Sequence, residues 1–476
     1  MKLVFFLCLA VCYTASGQHT DAFVASTEAH LEKLAETDQF SGIVLVARQG
    51  KPLFKKAYGF ANLSDSIPNR VDTKFNLASM GKMFTAVAIM QLVEAGKLTL
   101  HDKVGKILPD YPNKAARDSV TIHQLLSHTS GLGNFWEAHS KQAKERFRAV
   151  SDYLPLFADE PLLFTPGKQF AYSNSGFTVL GLIIEKITGR SYFDYVKEKI
   201  FTPSGMKDTD AYELDLAVPR LAIGYTRSVE NPGHWKNNTY VNVIKGGPAG
   251  GSYSTADDLL RFSNALLENK LLSKENTKIL TTRPVGSLSK YAYGFSEEII
   301  NTHRVIGHSG GHIGIANEMM IFTDLGYTTI ILTNGDVGNF WDVDNFMRKH
   351  LVGSTPDIDN YYFTKAAVEL VTEKGYDAGV RSVKSNPGRK LKYGLAEQTG
   401  YDLLWAGKHN QAIDIFKLNV FAYPEQSGAY LGLGQAYRLA GNLKQAIEHY
   451  KKYVAMEPDD VDAVGKLKKL IIDSTK

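Results

Sequence analysis

The assignment of the fold begins with residues 75–90, which read FNLASMGKMFTAVAIM. The apolar run from Met83 to Met90 predicts a helix, with Ser79 in its first turn and Lys82 one turn further along the same face. A lysine beside a serine hydroxyl can remove its proton if burial lowers the pKa of the lysine. This stretch therefore predicts a serine nucleophile with a lysine base, and an acyl-transfer enzyme. An ordinary serine at a helix N-cap is the alternative interpretation.

The same serine–lysine spacing occurs at two other places in the chain. Ser204 precedes Lys207 between a proline and a glycine, which predicts a turn, and Ser287 precedes Lys290 in a polar stretch typical of a loop. Neither pair is followed by a helical pattern. Ser79 is therefore the preferred candidate for the nucleophile.

Residues 1–18 are typical of a secretory signal, with a lysine near the start, a short apolar core and small residues at the end. We therefore expect a secreted or periplasmic protein. Both cysteines, Cys8 and Cys12, lie in this segment, so the mature chain is expected to lack disulfides, thiolate metal sites and cysteine nucleophiles. A buried N-terminal element and a lipid anchor on Cys12 are the alternatives. The apolar core is too short to span a membrane, and no other apolar run is long enough.

The length of 476 residues predicts two or more domains, and the net charge of +4 is too small to indicate a nucleic-acid partner. Elements are predicted at both ends of a first domain that covers roughly 19–355: a helix at 21–36, a hairpin at 41–60, strands at 304–307, 315–322 and 327–333, and a closing helix at 340–351. The residues from 75 to about 200 are mostly helical by pattern. Strands from both ends with helices between them predict an α+β domain, in which one antiparallel sheet is packed by helices.

The tail, residues 359–476, repeats itself with a period of 34 residues. The paired positions are Gly407 and Gly441, Ala412 and Ala446, Phe416 and Tyr450, and Pro424 and Pro458. This period and these residue types are typical of tetratricopeptide repeats, and they predict two clear repeats and one degenerate repeat. Such helical arrays bind peptides, so we expect the tail to bind a protein partner or to mediate self-association. Unrelated helices with coincident spacing are the alternative.

Two further polar clusters supply candidates for the same site. Tyr172 and Asn174 precede an apolar run; a tyrosine can transfer a proton, and an asparagine can orient a substrate carbonyl or the lysine. His308, Ser309 and Gly310 follow a predicted strand, where a glycine allows backbone and substrate to approach closely. Each pattern is weak alone, because Tyr-x-Asn recurs at two other positions and a lone histidine is more often structural.

Two details of these clusters remain open at this point. The amide of Gly311 can point into the site, while His312-Ile313-Gly314 repeats the histidine–glycine spacing and is the second choice for this motif. Phe135 and Trp136 are predicted either to form an apolar wall of the cleft or to pack in the core.

Taken in order, these motifs resemble those of the serine β-lactamase-related hydrolases, a family that includes class C β-lactamases, penicillin-binding DD-peptidases and related esterases. Other stretches that look like this family are His123–Leu132, Gly176–Gly189 and Ala249–Thr255. The resemblance covers nearly all of residues 21–350. It implies a β-lactamase/transpeptidase-like fold for this part of the chain.

The resemblance also implies a role for each candidate residue. Ser79 would form the acyl-enzyme, with Lys82 and Tyr172 together as the proton relay. Asn174 would line the site, and the amides of Ser79 and Gly311 would form the oxyanion hole. No metal and no cofactor are implied, and the substrate would be a small molecule or a peptide.

The sequence departs from the family pattern at His308, where many relatives carry a lysine. A lysine there is a fixed cation that can bind a substrate carboxylate, whereas a histidine is mostly neutral at pH 7. We therefore expect hydrolysis of an ester, an amide or a peptidoglycan-type peptide rather than efficient hydrolysis of β-lactams. The alternative is a non-catalytic scaffold or binding protein that acts through its repeats.

Overall fold

The structure, a computed structural model, describes residues 21–228, 230, 232–335 and 338–475. The predicted signal segment, residues 1–18, lies outside the described residues. The chain divides into two compact units: one runs up to Tyr225 and takes in Asn237–Val343, and the other comprises Thr226–Lys236 and Asp344–Lys476. The domain boundary drawn from the sequence, between 355 and 359, stays a prediction.

Short and long strands alternate along the chain. They are β1 (Gly42–Arg48), β2 (Lys51–Tyr58), β3 (Phe60–Asn62), β4 (Ile67–Pro68), β5 (Phe75–Asn76), β6 (Tyr225–Arg227), β7 (Trp235–Asn237), β8 (Tyr253–Ser254), β9 (Ser296–Ile300), β10 (His303–His312), β11 (Ile315–Phe322) and β12 (Tyr327–Thr333). Six of them form one antiparallel sheet in the order β2-β1-β12-β11-β10-β9. Strands β1 and β12 pair from Gly42 opposite Thr333 to Arg48 opposite Tyr327, so the two ends of this region meet inside the sheet.

The predicted antiparallel sheet and its flanking helices are confirmed, and strands β11 and β12 have the predicted bounds. Strand β10 is longer than predicted. It remains paired with β11 as far as His312 opposite Ile315, so His308 lies within the strand and not after it. The pairing across the tight turn at 313–314 extends the strand through the glycines, which a pattern of apolar residues does not show.

Helices fill the space between the early and the late strands. They are α1 (described over 21–36), α2 (Lys82–Glu94), α3 (Val104–Ile107), α4 (Lys114–Ser119), α5 (Ile122–Leu126), α6 (Trp136–Ser140), α7 (Asn174–Thr188), α8 (Tyr192–Val196), α9 (Thr202–Ser204), α10 (Ala256–Leu267), α11 (Lys274–Thr281) and α12 (Gly338–Val352). Short 3-10 segments lie at Ala78–Gly81, Lys144–Arg146 and Val150–Leu156, and a π-helical turn at Lys197–Phe201. Every residue of α2 from Lys82 to Met90 is buried, so α2 is a helix of the core and not an amphipathic surface helix.

The second unit is helical, as the prediction of an all-α tail requires. Its helices after α12 are α13 (Pro356–Lys374), α14 (Tyr376–Ser385), α15 (Tyr393–Trp405), α16 (His409–Ala422), α17 (Ser427–Leu439), α18 (Leu443–Met456) and α19 (Val461–Ser474). Helices α15 and α17 start 34 residues apart (427 − 393), as do α16 and α18 (443 − 409).

The 34-residue offset is also a packing offset. A Cβ at Gly400 would lie 2.6 Å from the ring of Phe416, and one at Gly434 would lie 2.9 Å from the ring of Tyr450. Both rings are fully buried, so the same small-residue-to-aromatic contact closes each helix pair. Within the described residues, no helix is both long enough and apolar enough to cross a membrane.

Candidate active site

Ser79 lies in the 3-10 turn Ala78–Gly81, directly before helix α2. Ala78 has a φ of +44°, a conformation that a residue with a side chain rarely adopts, and its amide donates a hydrogen bond of 2.9 Å to the Asn76 side chain. Backbone packs closely around this turn. A Cβ at Gly310 on β10 would lie 2.1 Å from the Leu77 carbonyl oxygen. The turn is therefore held in a strained conformation by contacts that leave no room for a side chain.

The predicted meeting of Ser79 and Lys82 is present in the structure. Lys82 Nζ lies 3.2 Å from Ser79 Oγ, 2.7 Å from Asn174 Oδ1 and 2.6 Å from the Ala249 carbonyl oxygen. Lys82 is fully buried and has no carboxylate partner among the described residues. Burial lowers the pKa of its ammonium well below the ordinary value.

These three contacts match the bonding capacity of a neutral amine. A neutral amine has two N–H donors and one lone pair. The two carbonyl oxygens, of Asn174 and Ala249, can only accept, so they take both donors. The lone pair is then left for the hydroxyl proton of Ser79, which is the arrangement that a general base requires.

Tyr172 and Asn174 reach the site from the loop that precedes α7 and from the first turn of that helix. Asn174 is the first residue of α7, which Ser173 caps by accepting a hydrogen bond from Gly176. The Tyr172 ring lies 4.8 Å from Lys82 Nζ. Its hydroxyl is buried without a hydrogen-bond partner among the described residues, and burial raises the pKa of this phenol although interaction with the Ser79 side chain opposes the rise. Tyr172 is therefore a protonated phenol beside the serine.

Asn134 is a positioning residue that the sequence interpretation missed. Its Oδ1 accepts hydrogen bonds from the backbone N–H of Asn174 at 2.8 Å and from the Asn174 side chain at 2.9 Å. Its Nδ2 donates to the Tyr172 carbonyl oxygen at 2.9 Å. Because the Asn174 amide nitrogen is bonded to Asn134, its oxygen is turned toward Lys82. No motif marks Asn134 in the sequence; the signal was only its place beside the Ser130–Gly133 turn.

His308 lies behind the site and not in it. Its Nδ1 hydrogen bonds to the Ser309 carbonyl oxygen, which can only accept, so Nδ1 carries the proton and Nε2 accepts from the Tyr291 hydroxyl at 2.8 Å. Burial, with a smaller contribution from Lys82, lowers the pKa of His308 to about 3. The imidazole is therefore neutral, packed against Tyr291 and, through that ring, against His128.

An open cavity of about 500 Å³ brings the other candidates together. Ser79, Tyr172, Asn174 and Gly311 line it, whereas His308, Ser309 and Gly310 do not. Both residues whose role was open contribute to its wall: Phe135 and Trp136 line the cavity, and Trp136 stacks on His312 at 5.4 Å between ring centres. The second-choice histidine motif thus lines the cavity through His312, while the first-choice motif supplies Gly311 and packing.

The other two serine–lysine pairs do not form comparable sites within the described part of the chain. Ser287 Oγ donates to the Ser289 carbonyl oxygen at 3.0 Å, and Lys290 pairs with Glu298 at 3.1 Å. Ser204 ends the short helix α9 and its hydroxyl has no partner there. Of the three pairs, only the one at Ser79 forms a serine–lysine contact.

Comparisons with known proteins agree with this geometry. The sequence family described as Beta-lactamase matches residues 27–354. A penicillin-binding protein of Bacillus subtilis (strain 168) is 34% identical over 326 residues, which are 64% of this chain and 70% of that protein. The esterase EstB of Burkholderia gladioli is 28% identical over 350 residues, 64% of this chain and 88% of EstB. The crystal structure of a penicillin binding protein from Bacillus halodurans is 33% identical and superposes with a TM-score of 0.61, covering 66% of this chain and 97% of that one.

Proposed function

This chain belongs to the beta-lactamase family, and we propose that it is a serine hydrolase that works through an acyl-enzyme on Ser79. The substrate is an ester, an amide or a peptidoglycan-type peptide. The observation that carries the proposal is the contact of Ser79 Oγ with a buried Lys82 whose two N–H donors are already taken by carbonyl oxygens. This leaves the lysine with one free function at the serine, which is to accept its proton.

The proposed reaction uses the residues in two half-reactions. Lys82 accepts the hydroxyl proton as Ser79 Oγ attacks the substrate carbonyl carbon, and the amides of Ser79 and Gly311 stabilise the resulting oxyanion. Tyr172, which burial keeps protonated, donates its proton to the leaving group and regains one from Lys82. Water then attacks the acyl-enzyme with the same groups acting in reverse, and Ser79 is restored.

The identity of the leaving group is narrowed by His308. Since this imidazole is buried and neutral, it supplies no cation at the position where the resemblance expects one. The 28% identical relative EstB is named as an esterase, which favours ester substrates. We therefore rank esters and amides above β-lactams.

The test is covalent labelling with two probes. The purified chain is incubated with a fluorescent fluorophosphonate and, separately, with a fluorescent penicillin, and the labelled peptide is mapped by mass spectrometry. We expect the fluorophosphonate to label Ser79, with loss of label in Ser79→Ala and full label in Ser287→Ala, the matched serine–lysine control. Label from both probes would move the substrate toward β-lactams or peptidoglycan peptides. No label from either would refute the acyl-enzyme and favour the non-catalytic scaffold.

We also propose that the protein is exported through its first 18 residues and that its helical tail binds a protein partner or a second copy of the chain. The 34-residue packing offset of the tail helices supports tetratricopeptide repeats, which present such binding surfaces. The mass of the protein recovered from its host tests the first part, and light scattering of the purified protein tests self-association. An uncleaved chain would contradict export by a cleaved signal.

A further inference from the structure

The charge of the active-site cavity is unbalanced. Two lysines besides the buried base contribute to it: Lys144 and Lys245 both line the cavity, and no Asp or Glu is among its described lining residues. Lys245 is neutralised by Glu213, 3.0 Å away. Lys144 has no carboxylate within 4.0 Å among the described residues. One uncompensated positive charge therefore faces the space that the substrate occupies.

Lys144 is held in place by one neighbour. Its Nζ donates to the His139 carbonyl oxygen at 2.5 Å and lies 3.4 Å from His139 Nδ1. An ammonium group has three donors, so at least one remains for a ligand. The His139 ring is buried between Phe147 and Tyr153, at 4.7 and 5.6 Å between ring centres, which fixes the anchor. Lys144 is thus a positioned cation and not a freely moving surface lysine.

The neighbouring imidazoles add no charge. Burial, with the nearby Lys144, lowers the pKa of His139 to about 4, and burial also lowers the pKa of His312. Both rings are therefore neutral at pH 7. Burial lowers the pKa of Lys144 as well, as expected for a cation without a counter-ion. The cavity offers a single positive charge set among aromatic side chains.

We propose that Lys144 binds a carboxylate group of the substrate within the Ser79 cavity. A single ammonium matches one monovalent carboxylate, whereas a phosphate dianion needs more than one cation. The subsite lies on the segment after α6, and not on strand β10, where His308 is neutral and outside the cavity lining. The inference rests on the proposed function, since it names the class of substrate that the same cavity accepts.

The test compares two esters that differ only in charge. These are p-nitrophenyl hexanoate and the p-nitrophenyl monoester of adipic acid, which carries a carboxylate at the far end of an acyl chain of the same length. The variants are Lys144→Gln and Lys144→Arg, with Lys141→Gln as the matched control because Lys141 is exposed and pairs with Glu137 at 2.7 Å. Thermal unfolding establishes that each variant is folded.

We expect Lys144→Gln to lower kcat/KM for the adipate monoester by at least about tenfold, mainly through KM, and to leave the hexanoate within about twofold. Lys144→Arg keeps the charge and should retain the preference for the adipate ester, and Lys141→Gln should match the wild type. Equal loss on both esters would mean that Lys144 only supports the structure, and no loss on either would mean that it does not meet the substrate. Either result overturns the proposal.

A binding measurement separates this inference from the proposed function. Calorimetry with adipate on Ser79→Ala, which cannot form an acyl-enzyme, should show binding that is at least about tenfold weaker when Lys144→Gln is added. If the wild type hydrolyses neither ester but adipate binding depends on Lys144, the subsite stands and the proposed hydrolase fails. If adipate does not bind, or binds equally well without Lys144, the subsite is refuted whatever the turnover shows.

Discussion

Replacing Gly310 by alanine tests whether strand β10 holds the nucleophile in place. A Cβ at this position would lie 2.1 Å from the Leu77 carbonyl oxygen and 3.3 Å from the Ala78 Cβ. Carbon and carbonyl oxygen atoms pack no closer than about 3.3 Å, so strand β10 or the turn must move by roughly 1 Å. Both contacted residues immediately precede Ser79, so the displacement is transmitted to the serine.

The size of the effect follows from that displacement. Overpacking a well-packed site costs about 1–3 kcal/mol, which for a domain of this size lowers Tm by roughly 2–10 °C. Misplacing a reacting atom by about 1 Å can cost about 100-fold in rate. We therefore expect Gly310→Ala to remain folded, with a lower Tm and about 100-fold less ester turnover and fluorophosphonate labelling.

The adjacent glycine supplies the stability control. A Cβ at Gly311 would have the Ile315 carbonyl oxygen as its nearest neighbour, at 4.0 Å, which is ordinary contact. Gly311→Ala should therefore keep the wild-type Tm in scanning calorimetry or improve it slightly, because alanine is less flexible than glycine in the unfolded chain. Wild-type Tm and labelling rate in Gly310→Ala would show that β10 does not position the turn, and would refute the reasoning.

Three further predictions follow from the contacts of the site. Lys82→Met should leave a folded protein, by circular dichroism, with kcat lower by about 100-fold or more, and wild-type turnover should rise with pH as Lys82 loses its proton and level off by neutral or mildly alkaline pH; an acidic optimum would contradict the role of the lysine. Asn134→Ala removes three hydrogen bonds worth about 1 kcal/mol each, so kcat should fall more than KM changes, and unchanged kcat would remove Asn134 from the positioning role. Because burial lowers the pKa of His308 from 6.5 to about 3, the unfolded chain binds a proton in this range that the folded chain does not. Stability should therefore fall as the pH drops through this window, by about 1.4 kcal/mol per pH unit for this one group. Urea unfolding at a series of pH values should show a shallower slope for His308→Gln, and an unchanged slope would mean that this histidine is not the group that titrates.

The sequence by itself determined the elements whose residues bury a continuous apolar surface and the pairs that lie close along the chain. Strands β11 and β12 were predicted with their bounds because every residue in them is apolar or small and buried, and the early hairpin was predicted from its turn. Ser79 and Lys82 were found for a similar reason, since a separation of three residues in a helical turn sets their distance locally.

Only the tertiary structure decided the groups that meet across long stretches of chain. The neutral state of Lys82 depends on Ala249, 167 residues away, and the orientation of Asn174 on Asn134, 40 residues away. His308 was a candidate from its motif, but strand pairing turns it toward Tyr291 and leaves Gly311 and His312 at the cavity. Side-chain direction in a strand alternates with every residue and protonation follows burial, so a motif specifies which groups are present but not which way they face or what charge they carry.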